Sequence, residues 1–280
     1  MIMVPRLFSF CRRALLLAGL MASPAAGEPS LERGAYLVEG PAACGNCHSP
    51  QDMNGPIAGL EYGGMLVERN DLFTAVAPNI SPGGRVAQWT DVEFVRAIRE
   101  GIRPDGSVIG PPMPIRLYRG LSDDDVQSIV LYLRSVPAVE NDPGQSVYGM
   151  PIPPAYGPPV NSVPSVPEGV TVEYGAYLAG PVAHCIECHS PMGPQGPMID
   201  THAGQGGMEF HGPWGVSVAP PITGAALTGY SDEEMAAMIR QGIRPDGSRM
   251  MPPMPYRWLA RMTDADLAAI LLYLRSLPPA

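Results

Sequence analysis

The sequence predicts an all-α protein made of two tandem domains joined by a proline-rich linker. Three observations predict it. A set of sequence signals recurs at one fixed offset, the offset that carries Cys44 to Cys185 and His48 to His189. The recurring segments open and close as helices do. The stretch between the two copies carries too much proline, glycine and serine to be helical.

The first segment, 1–27, reads as an address. Arg6, Arg12 and Arg13 make a basic start, residues 14–22 form a short apolar run, and Ser23-Pro24-Ala25-Ala26-Gly27 supplies small residues for cleavage. This is the pattern of a secretory signal peptide, and it places the mature protein in the periplasm. The apolar run falls short of the roughly 20 residues that span a bilayer. An uncleaved anchor is the alternative. No later stretch reads as a transmembrane segment, so membrane association is expected only peripherally, through a partner. Cys11 would leave with the leader.

The two domains are expected at 28–137 and 171–280, with the linker at 138–170. In each, a short helix precedes a cysteine motif, around residues 31–38 and 173–179. A second helix opens on Thr90-Asp91-Val92-Glu93 and stops at Gly101; its twin opens on Ser231-Asp232-Glu233-Glu234 and stops at Gly242. Both openings are capping boxes and both ends carry the glycine that closes a helix. A third helix starts at Ser122 and runs to about Ser135, with Val126, Ile129, Val130 and Leu133 on one face; its twin runs from Thr263 to about Ser276. Tyr132 and Tyr273, on those helices, read as core residues. The linker could lie along the domains or act as a free spacer.

The chain carries a formal charge of −9 and contains no lysine. Loss of the leader's arginines makes the balance more negative still. Such a surface argues against nucleic acid and anionic membranes and suits a partner with a basic face.

Chemistry enters with the cysteines. Four of the five stand in two motifs, Cys44-Gly45-Asn46-Cys47-His48 and Cys185-Ile186-Glu187-Cys188-His189. This C-x-x-C-H spacing is the haem c attachment signature. Two thiols one helical turn apart add to the two vinyl groups of a haem, and the adjoining histidine supplies the proximal nitrogen. A zinc site would draw on the cysteines together, without a histidine after each pair. The expectation is two covalently bound haem c groups, on Cys44 and Cys47 and on Cys185 and Cys188, with His48 and His189 on the irons.

The sixth ligand follows from what is missing. The first domain has one histidine, His48, and no lysine. Methionine is the remaining soft donor. Of Met53, Met65 and Met113, only Met113 has a methionine counterpart, Met254. The two sit in matching frames, Gly110-Pro111-Pro112-Met113-Pro114 and Met251-Pro252-Pro253-Met254-Pro255. Prolines keep such a loop out of helix, so Met113 and Met254 are expected as axial ligands. The competing role is core filling, methionine's usual one. His184, His202 and His211 have no counterparts in the first domain and read as surface or loop residues. Arg103 and Arg244, in a repeated Ile-Arg-Pro-Asp-Gly turn, read equally as haem-propionate partners or as solvated turn residues.

Each half resembles a class I cytochrome c domain. The frame Ala77-Pro78-Asn79-Ile80-Ser81-Pro82, Trp89-Thr90-Asp91, Arg99-Glu100-Gly101, Met113-Pro114 and Tyr132-Leu133-Arg134-Ser135 is similar to the cytochrome c subunits of bacterial membrane-bound alcohol, aldehyde and gluconate dehydrogenases. The second half shows it as Pro221-Ile222-Thr223, Tyr230-Ser231-Asp232, Met254-Pro255-Tyr256 and Tyr273-Leu274-Arg275-Ser276. Those subunits usually carry three haem motifs and this chain carries two. The resemblance implies a periplasmic electron carrier, not itself an enzyme. It would take electrons from a dehydrogenase donor and pass them to a cytochrome or terminal oxidase in the respiratory chain. The alternative is a di-haem oxidoreductase of peroxidase or thiosulfate dehydrogenase type. A haem-based sensor is a third reading.

Overall fold

The computed structural model describes residues 28–52 and 54–279. The leader, Cys11 and Met53 lie outside the described residues.

The first half opens with α1 (Leu31–Glu39), capped by the Ser30 side chain on the Arg33 amide. The attachment turn α2 (Cys44–His48) follows. After a loop-rich stretch come α3 (Asp91–Glu100), the single turn α4 (Ile115–Tyr118) and α5 (Asp123–Ser135). The second half repeats the order. α6 (Val172–Tyr177) continues into a wider turn, Leu178–Val182, and the attachment turn α7 (Cys185–Cys188) comes next. Then follow α8 (Gly224–Leu227), α9 (Asp232–Gln241), α10 (Tyr256–Leu259) and α11 (Asp264–Ser276). Both expected capping boxes form, Thr90 with Glu93 and Ser231 with Glu234. Gly101 and Gly242 close their helices at φ 68° and 66°, where a side chain would be strained.

The all-α expectation needs correction. About 36% of the described residues are helix and 13% strand. β1 (Gln51–Asp52) pairs with β2 (Gly55–Pro56). β3 (Met65–Arg69), β4 (Phe73–Ala77) and β5 (Val147–Tyr148) form a three-stranded antiparallel sheet. In the second half β6 (Met192–Gly193) pairs with β7 (Gly196–Pro197), and β8 (Glu209–Gly212) with β9 (Gly215–Val218). Each half must carry its chain from the attachment turn to the next long helix through glycine- and proline-rich sequence that cannot be helical. The backbone groups left open there find partners by pairing locally. The local hints of these strands are single β-branched residues, Val67 in 65–69 and Thr74 and Val76 in 73–77, and the turn around Pro213-Trp214.

The first and last long helices of each half cross at close range. A Cβ on Gly34 would stand 2.0 Å from the Ser128 carbonyl oxygen, and one on Gly175 1.9 Å from that of Ala269. Only glycine fits, which explains the repeated Gly-Ala-Tyr-Leu. Around these crossings the two halves share one apolar core. It includes Leu37, Val38, Val126, Ile129 and Leu133 from the first half and Leu178, Val182, Leu267, Ile270 and Leu274 from the second.

The halves also cap one another. The Tyr177 hydroxyl accepts the Ser122 amide (3.1 Å) and donates to Asp125 (2.6 Å), at the N-terminus of α5. Tyr36 does the same at α11, accepting the Thr263 amide and donating to Asp266. Each half's first helix thus satisfies donors that the other half's last helix leaves open. Arg116 donates to the Pro197 carbonyl and Asp200, and its repeat partner Arg257 to the Asn54 carbonyl.

The linker is a strap on the first half. Val139 is 5% exposed. Asn79 donates to the Val139 carbonyl (2.6 Å). β5 adds the outer strand to β4. The Tyr148 hydroxyl donates to the Pro111 carbonyl (2.7 Å) and Tyr156 to that of Ile109 (2.8 Å). Further on, Ser162 and the Val163 amide bond Asp123, and Ser165 bonds Asp124.

Candidate functional site

Ala43 and His184, immediately before each first cysteine, take left-handed backbone, at φ 48° and 42°. That turn starts the attachment helices. Cys44 and Cys47 then lie one turn apart on α2, and Cys185 and Cys188 on α7, so each thiol pair faces one way. None of the four is in a disulfide.

The histidines are set by one device used twice. His48 Nδ1 lies 2.8 Å from the Pro78 carbonyl oxygen, and His189 Nδ1 lies 2.8 Å from that of Pro220. A carbonyl only accepts, so Nδ1 carries the proton and Nε2 is left with its lone pair. Burial holds both imidazoles below their ordinary pKa, and the carbonyl bond opposes this only in part. A neutral ring, oriented by its far nitrogen, is the form that ligates a metal. Pro78 and Pro220 were legible only as members of the repeated Ala-Pro-x-Ile frame; nothing local shows that their carbonyls orient histidines so much earlier in the chain.

Burial also raises the thiols, Cys44 and Cys188 to about 12 and Cys47 and Cys185 to about 11. After burial, the Cys188 shift owes something to Glu187, to Cys185 and to Cys47 of the other half. The donor set, two free thiols and a neutral imidazole on one turn, fits a covalently held haem in each half.

Met113 and Met254 sit in equivalent loops, directly before α4 and α10, and both pack half-buried against the core. The alternatives fare differently. Met65 lies on β3, Met250 packs on the core, and Met251 is 43% exposed. Met208, Met235, Met238 and Met262 are buried core residues, doing methionine's usual work.

Among the remaining residues singled out in the sequence, His202 bonds Thr201 and His211 stands exposed beside Glu209. His184 is not a free surface residue. Its ring meets Tyr118 of the first half edge-on, and burial pushes its pKa down to about 4. Arg103 bonds the Ser107 hydroxyl and the Val108 carbonyl, and Arg244 bonds Ser248 and the Arg249 carbonyl. Both guanidinium groups therefore brace their own turns. Tyr132 packs edge-on against Tyr62.

Residues 172–278 match the cytochrome c family. Along most of its length the chain resembles cytochrome subunits of bacterial dehydrogenases. It is 28% identical to the cytochrome c subunit of a quinone alcohol dehydrogenase of Gluconacetobacter polyoxogenes, with 94% of this chain and 60% of that protein aligned. It is 30% identical to the fructose dehydrogenase cytochrome subunit of Gluconobacter japonicus, over 94% of this chain and 57% of that one. A diheme cytochrome c-type protein of Cereibacter sphaeroides is 28% identical over 94% of this chain and 88% of its own length. The chain thus spans about three-fifths of the dehydrogenase subunits it matches and most of the diheme protein. Among the described residues no helix is long and apolar enough to cross a membrane.

Proposed function

We propose that this chain, a c-type cytochrome by its match over residues 172–278, holds two haem c groups and moves electrons one at a time between protein partners. One haem is held by domain 28–137 and the other by domain 171–280, with 138–170 linking them. Cys44 and Cys47 bind the first haem covalently and His48 ligates its iron. Cys185, Cys188 and His189 do the same for the second. Met113 and Met254 supply the opposite axial ligands.

The observation that carries this reading is the paired histidine device. In both halves a C-x-x-C-H turn presents an imidazole whose Nδ1 proton is committed to a proline carbonyl, so Nε2 is the ligating atom. A haem with histidine and methionine on its two faces supplies reversible one-electron exchange at a raised potential. The protein's residues fix the ring tautomer; Cys44, Cys47, Cys185 and Cys188 would hold the two haems, and His48, His189, Met113 and Met254 would occupy the irons and leave outer-sphere transfer as the chemistry.

The names of the relatives support a dehydrogenase as electron donor. The leader-like segment 1–27 supports a periplasmic site of action, and the resemblance to dehydrogenase cytochrome subunits supports a respiratory cytochrome or oxidase as acceptor.

The test is a haem count and a ligand assignment on the purified protein. Alkaline pyridine spectra should give two haem c per chain. The ferric protein should show a near-infrared sulfur-to-iron band, and Met113→Ala and Met254→Ala should each remove part of it. A single haem, or a band that both variants leave intact, overturns the reading. Steady turnover of peroxide or thiosulfate by the native protein would favour the enzymatic alternative.

A further inference from the structure

α4 and α10 each begin two residues beyond a proposed methionine ligand, after Pro114 and Pro255. Each then runs into the opposite half. The Tyr118 ring, at the end of α4, meets the His184 ring edge-on with centroids 6.0 Å apart. His184 is the residue before Cys185. In return, Trp258 Nε1 on α10 stands 3.0 Å from where a Cβ on Gly45 would be. Gly45 lies between Cys44 and Cys47. Any larger residue there would push the indole away. Both aromatics are only 8% exposed. The attachment turn of each half is therefore roofed by a ring from the other.

The repeat shows that this is more than shared ancestry. At the offset that relates the two halves, Tyr118 corresponds to Leu259 and Trp258 to Leu117. Each half supplies one ring and one leucine, in opposite order, so the two rings occupy non-equivalent places in one seam.

We propose that Tyr118 and Trp258 are positioning residues for electron transfer inside the chain. They hold the two cysteine turns against one another across a seam closed to water, so that haems bound to those turns would exchange an electron directly between the halves. The inference rests on the di-haem reading above. In the transfer one iron is oxidised by one electron, the other is reduced by it, and no bond or proton moves. In a dry seam a charge on one centre is felt strongly at the other, so the second electron enters at a lower potential than the first.

The test begins with a haem count on every variant, because a chain without two haems refutes the function and not the seam. Electron paramagnetic resonance of the fully oxidised wild type should show magnetic interaction between the two ferric centres. After rapid sub-stoichiometric reduction, electron equilibration between haems should be independent of protein concentration. Tyr118→Ala and Trp258→Ala should slow that equilibration about tenfold or more, the equivalent of ~1.4 kcal/mol in activation free energy. Tyr118→Phe and Trp258→Phe should restore most of the rate, since the ring and not its polar atom does the positioning. Wild-type protein with two haems but no magnetic interaction and concentration-dependent equilibration would overturn the proposal. So would two-haem alanine variants that equilibrate at the wild-type rate.

Discussion

The two halves share an architecture and differ in what covers them. In the first, the linker lies against the sheet and the methionine loop, holding that loop by the Tyr148 and Tyr156 hydroxyls on Pro111 and Ile109. In the second, no such strap lies on the equivalent loop among the described residues. β8 and β9 pair only with each other, Val216 and Val218 stand more than half exposed, and Met251 is exposed beside the loop. Ser217 donates to the Pro252 carbonyl, the group that Tyr148 serves in the first half. The residue after the repeated Ala-Pro tells the same story: Asn79 anchors the strap, and Pro221, in its place in the second half, has no strap to anchor. The two halves thus share the cysteine-motif turn and differ in how firmly the loop carrying Met113 or Met254 is held.

The largest expected consequence is in ligand exchange. Carbon monoxide added to the fully reduced protein should displace Met254 more readily than Met113. Replacing both Tyr148 and Tyr156 by Phe removes two hydrogen bonds worth about 1 kcal/mol each. That should raise displacement at Met113 by a factor of about 5–30, read by flash photolysis, while leaving Met254 unchanged. Equal displacement at both sites in the wild type would remove the functional content of the asymmetry.

Next in size is Asn79→Ala. It deletes the amide that bonds Val139 and the oxygen that accepts from Ser81. Groups left unpaired in a buried site cost about 1–3 kcal/mol, so urea denaturation should shift by that much. Hydrogen exchange should increase along 139–148. Pro221→Asn should leave stability almost unchanged, having no strap to catch.

The interface offers a closer comparison. Tyr177 is more buried than Tyr36, though both cap a helix of the other half. Tyr177→Phe should cost about 1–3 kcal/mol and Tyr36→Phe less, measured by thermal unfolding of the holoprotein. Equal losses would mean that the two caps are equivalent in energy as well as in geometry.

The smallest effect is one of pH. Burial acts to raise the Asp123 pKa, but bonds from Ser162, Arg99 and Val163 outweigh it and hold the group below its ordinary value of 3.8. A folded pKa below the unfolded one gives stability that is complete above the unfolded value and is lost as pH falls through the folded one. Asp123→Asn should therefore cost about 1 kcal/mol at neutral pH, with the difference fading below about pH 4. Asp264, its repeat partner, bonds Arg240 but no linker residue and is almost fully exposed. Asp264→Asn should show less of this pH dependence.

Some of this was legible in the residues. The helices over 91–100 and 232–241 were marked by a capping box and a closing glycine, and those over 123–135 and 264–276 by a Ser or Thr N-cap followed by apolar residues at helical spacing, because such signals act within a few residues of each other. The attachment turns were legible for the same reason. The strands were not, since their partners come from the far side of a turn and, for β4, from the linker beyond α3, α4 and α5. Treating the glycine- and proline-rich segments as loops gave an all-α class that the small sheets contradict. The part of His184 in the interface was invisible as well, because its neighbour Tyr118 lies in the other half.

The sequence by itself determined the motif: two thiols and an imidazole on one helical turn, written twice, with one matched methionine after each. Such groups are held by spacing of a few residues, and short-range geometry is fixed by the backbone alone. Tertiary structure decided which carbonyl sets each imidazole, which half the linker straps, and which ring roofs each attachment turn. Those choices join segments distant in the chain, from His48 with Pro78 to Asn54 with Arg257. Over such separations the free energy of burial, and not the local chain, selects the partner.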